Sequence, residues 1–279
     1  MTPILLRALS VGCAIDAWHV GTGVVHSVFD HAVNVLIGDD LWTVLPRPRL
    51  ETPFGLRLAA WPERIQSVAP VGGRVHVRAG YVRIGAAVID CRTATRWSPS
   101  PIRPTREPLG ASLAFLERRA RPRAWCGSPA VADDLANALR GFSSGRTLDA
   151  VCAVRRIVGR GPGLTPSGDD VLAGAITLLA SGTAGPAGDR AWAWLASIVS
   201  RMWHTTSDIS RHLLTQAVRG LPGRGLHDLI KSLLEGAPVE VLGDALDSAL
   251  SMGATSGADA CLGVVAACRY AWLGERPAA

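Results

Sequence analysis

The chain has 279 residues, 48% of them apolar and 19% charged, which is enough for a buried core in one large domain or two ordinary ones. No apolar run reaches the ~18 residues of a membrane span, and the opening MTPILLRALSVGCAID lacks a basic leader with a long apolar stretch, so a cytoplasmic protein with no membrane partner is expected. The net charge of +6 is arginine charge, since Lys231 is the single lysine, and six cysteines occur without any C-x-x-C; no nucleic-acid motif, zinc knuckle or disulfide framework is indicated.

In chain order, the first hundred residues alternate with period two between turn signals. Residues 26–37 read as one extended segment, Gly38-Asp39-Asp40 as a turn and residues 41–45 as the returning strand. Residues 64–69, Gly72-Gly73 and residues 75–78 suggest a second hairpin, continued by 81–91. Residues 98–108, SPSPIRPTREP, carry four prolines, which remove backbone donors and break helices. The expected boundary lies there, between a β-rich domain over 1–105 and a helical domain over 106–279: an α+β chain. Eight arginines between Arg92 and Arg123 sit among these prolines and read as a solvated linker or a subunit contact.

Beyond the boundary the apolar period becomes helical. Ser128-Pro129 is a start signal, with Leu135 and Leu139 on the apolar face. Leu148, Val151, Cys152 and Arg155 lead a helix into the loop GRGPGLTPSGDDVLAG, residues 159–174. Further helices are expected at about 169–181, 187–203, 208–220, 225–236, 238–251 and 257–273. Residues 171–180 read as a core helix, and Cys261 and Cys268 share a buried face.

The loop fits neither standard phosphate motif. A Walker loop ends in Gly-Lys-Ser/Thr, and the dinucleotide fingerprint follows a strand with glycines at its first, third and sixth places. Here a helix precedes Gly159, Gly161 and Gly163. Alternating glycines let the backbone adopt conformations barred to other residues, and the helix starting near Ser167 points its free N–H groups at the space the loop encloses. Ser167-x-x-Asp170 fits a capping box, a structural role that Asp170 could fill as well as a binding one.

A second stretch repeats this pattern. SGDDVLAG at 167–174 and SGADACLG at 256–263 share S-G-x-D-x-x-x-G, and a third start, Thr205-x-x-Asp208, lies between them. Three polar helix starts suggest convergence on one pocket. Where the second copy has Ala258 the first has Asp169, a carboxylate that capping does not require. Asp169 is therefore the candidate catalytic residue. Beside an anion seat it needs a bridging cation such as Mg²⁺, or a ligand with N–H groups such as a carbamoyl compound, and the sequence does not choose between them. The candidate binding residues are Gly161, Gly163, Thr165, Ser167, Gly168, Asp170, Thr206, Ser210, Arg211, Thr255, Ser256 and Gly257. His204 and His212 lie eight apart without a zinc motif, and no G-x-S-x-G elbow is present.

GPGLTPSGDDVLAG, TTSDISRHLLTQAVRG and MGATSGADACLG resemble the AllH-like family, which contains the AllH subunit of oxamate carbamoyltransferase. VVHSVFDHAVNV resembles that family's early H-S-x-F...N segment. The resemblance implies a partner of two other subunits in a complex that converts oxalurate and phosphate to oxamate and carbamoyl phosphate during allantoin catabolism, a branch of purine degradation. It transfers no catalytic residues, and Ala254 stands where family members often carry histidine. Two other readings are a non-catalytic assembly or ligand-sensing subunit and a stand-alone metal-dependent amidohydrolase.

Overall fold

The structure is a computed structural model and describes residues 4–105 and 109–273. The chain divides into two compact units, Met1–Ser100 and Pro101–Ala279. The first is a β-barrel and the second is helical, so the chain is α+β as expected.

In the first unit the strand order is β5-β4-β3-β2-β6-β7-β8-β1-β9, and β1 also pairs with β5. That pairing closes eight strands into a ring. It runs antiparallel from β1 (Ile4–Gly12) to β5 (Gly55–Leu58), with Ala8 opposite Leu58 and Val11 opposite Leu56. On its other side β1 meets β8 (Ala87–Asp90) and then β9 (Thr95–Trp97), both parallel. Closure removes the unpaired edges that an open sheet would expose.

Between these lie β2 (Gly21–Phe29), β3 (Ala32–Ile37), β4 (Asp40–Pro46), β6 (Arg74–Arg78) and β7 (Tyr81–Ile84). Strict alternation decides the faces: in β6 Val75 and Val77 are buried while Arg74, His76 and Arg78 are exposed. The segment over 26–37 is not one strand, because β2 and β3 form a hairpin turning at Asp30 and His31. Residues 64–69 do not form a strand either; residues 65–68 are a single helical turn, α1 (Ile65–Val68). The polar residues of the H-S-x-F...N segment are tied together: the Asn34 side-chain NH₂ donates to the Ser27 Oγ at 3.0 Å, and Thr43 donates to the Asn34 Oδ1 at 2.9 Å. Asn34 is buried, so this chain of bonds satisfies a buried polar group on the face of β3 opposite Val33 and Val35.

The helical unit contains α2 (Gly110–Ala120), α3 (Ser128–Ser143), α4 (Thr147–Ile157), α5 (Ser167–Ala180), α6 (Gly185–Ser200), α7 (Asp208–Val218), α8 (Arg224–Leu234), α9 (Val239–Leu250) and α10 (Ser256–Cys268). None of these helices is long and apolar enough to cross a membrane among the described residues. Helix α2 occupies part of the arginine-rich stretch read as a linker, and Arg119 and Arg121 are ion-paired to Asp247 and Glu117. Residues 106–108 of the proline-rich segment lie outside the described residues.

In helix α4 Leu148 is 77% exposed, whereas Ala150, Val154 and Ile157 face the core. At the centre lie α5 and α10, apolar on every side and buried nearly throughout. Their approach is governed by two glycines. A Cβ on Gly174 would run into the Ala260 carbonyl oxygen, and a Cβ on Gly263 would run into that of Val171. The two contacts exchange under the 89-residue shift of the repeated motif, which is the relation of a local twofold. Both helices start at the same end, because Ser256 at the head of α10 bonds Thr165, just ahead of α5.

Candidate functional site at the paired helix starts

The glycine loop between α4 and α5 uses the conformational freedom it was read to have. Gly159, Gly161 and Gly163 have φ of 71°, 113° and 93°, in the left-handed region. Pro166, extended at φ −52° and ψ 137°, is the residue from which α5 begins. The capping box does not form: α5 has no side-chain cap, and Ser167 is its first helical residue. The first-turn amides are taken by backbone instead. Gly168 donates to the Arg160 carbonyl at 2.7 Å, and Asp169 and Asp170 both donate to that of Pro166. These N–H groups are therefore not free to seat an anion.

Asp169, expected to be uncommitted, is fully engaged. Its Oδ1 accepts the Gly159 N–H at 2.8 Å, and its Oδ2 accepts the hydroxyls of Ser210, at 2.7 Å, and of Thr206. With 0% exposure and three donors, it is the brace that fastens the glycine loop to the start of α7. A second bond, from the Ser207 hydroxyl to the Leu164 carbonyl, runs beside it. The third helix start is consequently two places off the reading: Ser207, not Thr205, caps α7 and accepts the Ser210 N–H.

Asp170 is the carboxyl left with capacity. It is 2% exposed, and its Oδ2 has no hydrogen-bond partner. Burial pushes its pKa up to about 8, the nearby Asp259 and Asp169 add to the rise, and the Ser256 and Thr165 hydroxyls oppose it. Asp170 thus holds its proton at neutral pH. Those two hydroxyls are 3.0 Å apart and half-buried.

Asp259 occupies the place of Asp170 in the second motif. It too is buried, with Oδ1 accepting the Trp125 N–H at 3.1 Å and Oδ2 unpartnered. Two serine hydroxyls complete the set: Ser167 at the head of α5 and Ser128 at the head of α3 are fully buried and have no partner. Four orphaned polar atoms on neighbouring helix starts are more than a well-packed interior tolerates without an occupant.

The predicted residues fall into three groups. Thr165, Ser167, Asp170 and Ser256 gather at the paired starts of α5 and α10, while Asp169, Thr206 and Ser210 brace the loop alongside. Gly161, Gly168 and Gly257 are packing positions: a Cβ on Gly161 would press on Ser167, and Cβ atoms on the other two would strike the carbonyl oxygens of Ile157 and Ala249. Gly163 is exposed at the loop tip, and Thr255 precedes α10 without a side-chain cap bond. Arg211 is not brought in; it is exposed and paired with Asp208 on its own helix at 2.9 Å. Asp259, Ser128 and Trp125 were not singled out by sequence. Asp259 was legible as the acid common to both motif copies and Ser128 only as part of the Ser128-Pro129 helix start, but no sequence signal marks Trp125. Among the described residues no cluster of three or more His, Cys, Asp or Glu side chains could hold a metal.

These features define a class: an α+β chain with a small closed barrel and a helical unit built on two matched helix starts. The model of the AllH family N-terminal domain matches residues 7–96, and that of oxamate carbamoyltransferase subunit AllH matches residues 157–268. The chain belongs to the AllH family, and the second match runs from the last residue of α4 to the last of α10, enclosing both helix starts. No curated protein and no solved structure matches it.

Proposed function

We propose that this chain is the carbamoyl-handling subunit of an oxamate carbamoyltransferase-type complex, with the substrate's carbamoyl group held at the starts of α5 and α10 and Asp170 as its proton donor. The observation that carries the reading is the buried, proton-holding Asp170 with one oxygen unpartnered. A neutral acid does not repel an anionic substrate, and the charge of Asp169 is offset by its three donors. The orphaned oxygens of Asp170 and Asp259 suit a group rich in N–H, which favours a carbamoyl NH₂ over a bare anion.

In this reading a phosphate oxygen attacks the carbamoyl carbon of oxalurate, and the C–N bond to the oxamate nitrogen breaks. That nitrogen takes the Asp170 proton, and the proton lost by the attacking phosphate restores it. Thr165 and Ser256 orient the acid, and Asp169 is a positioning residue that fixes the loop. The test is oxalurate phosphorolysis by the complex assembled with its other subunits. Asp170→Asn should lower turnover by about 10²-fold or more. Unchanged turnover with correctly assembled complex would eliminate the role. The second reading, a non-catalytic assembly or ligand-sensing subunit, draws on the self-satisfied first-turn amides of α5. It predicts normal turnover in Asp170→Asn and weakened association with the other subunits.

A further inference from the structure

Away from the paired helix starts, a cleft of about 460 Å³ lies between α4, α6 and the turn leading to α7. Trp194, Ile198 and Met202 give it an apolar wall, and Arg155, Arg201 and His204 add basic groups. The Trp194 ring is held flat against Phe142, with centroids 4.6 Å apart and planes 17° from parallel. Its indole N–H is buried and has no acceptor.

The charges are one-sided. No acidic side chain lines the cleft, and among the described residues neither Arg155 nor Arg201 has an ion-pair partner. Elsewhere on this unit Arg119, Arg121 and Arg269 are neutralised by Asp247 and Glu117. Two unpaired guanidiniums in a cleft with an aromatic wall suit an anion, and the wall favours one carried on a flat ring, such as an aromatic carboxylate. The volume is within the range of small-molecule sites, roughly 300–1,000 Å³.

We propose that this cleft binds a flat aromatic carboxylate, its ring against Trp194 and its charge met by Arg155 and Arg201. The site is separate from the one assigned to Asp170, although Thr205 lines the cleft and its carbonyl oxygen stands 2.7 Å from where a Cβ on Gly159 would be. An occupant would thus lie behind the glycine loop.

Titration calorimetry on the full chain with 2-naphthoate tests this, with acetate as the ringless control and 2-naphthalenemethanol as the uncharged one. Naphthoate should bind at least about tenfold more tightly than either, and binding should weaken as salt is raised. Arg155→Ala combined with Arg201→Ala should cost about tenfold in affinity, the loss of two exposed charge contacts, while thermal melting is unchanged. Asp170→Asn should bind naphthoate like the unaltered chain, so failure here is distinct from failure of the carbamoyl reading. No naphthoate binding, equal binding of the uncharged alcohol, or undiminished binding by the arginine variant would each overturn the proposal.

Discussion

Asp170→Asn also makes a prediction about folding that needs no substrate. In the folded chain this acid titrates near 8, against 3.8 when exposed to water. An acid whose folded pKa is raised binds its proton more tightly in the native state. Its contribution to stability is complete below the unfolded value and is lost as pH climbs towards the folded one. Between those limits the loss is about 1.36 kcal/mol per pH unit. From pH 5 to pH 7 the unaltered chain should therefore lose about 2.7 kcal/mol relative to Asp170→Asn, which has no proton to give up, and the difference should level off above pH 8. Urea unfolding of both proteins at each pH from 5 to 9 measures it, with midpoints compared at constant slope. Parallel pH profiles, or an unaltered chain that gains on the variant as pH rises, would refute the claim that Asp170 is buried and held neutral.

Two further outcomes follow from the packing. Gly174→Ala should destabilise the helical unit by roughly 1–3 kcal/mol, because the added methyl meets the backbone oxygen of Ala260 and cannot be relieved by rotating a side chain; thermal melting against an exposed control such as Gly110→Ala reads this. In native protein a thiol reagent should modify the exposed Cys126 and Cys152 quickly, while Cys91, Cys261 and Cys268, whose thiols burial pushes up to about 12, should react only on unfolding, as mass mapping of the labelled peptides would report.

Local chemistry was legible where glycine punctuated it. The turn after β3 and the one before β6 were readable because Gly38 and Gly72 take positive φ there. The Asp30-His31 turn carries no glycine or proline, so the strands on either side of it merged in the reading. Ring closure by β1 and β5 joins residues about fifty positions apart, which no local period can reveal. In α4 Leu148 is exposed while the smaller Ala150 is buried, a choice of face made by tertiary packing.

At the site the repeated motif correctly located the meeting of two helix starts. It did not show which acid is left without a partner. The difference between the copies drew attention to Asp169, which the loop and α7 consume. The residues common to both, Asp170 and Asp259, hold the unpartnered oxygens. Capping logic had the Ser167 hydroxyl accept the Asp170 N–H, but Ser167 is itself the first helical residue and the Pro166 carbonyl accepts that N–H instead.

The reciprocal seating of Gly174 and Gly263 is the joint that two copies of a single helical hairpin would make across a symmetry axis. Fused in one polypeptide, the copies no longer need to be identical, since a change in one leaves its twin untouched. Asp169 and Ala258, at matching places, differ in this way: one clamps its loop with three accepted hydrogen bonds, and the other has no polar group to do so.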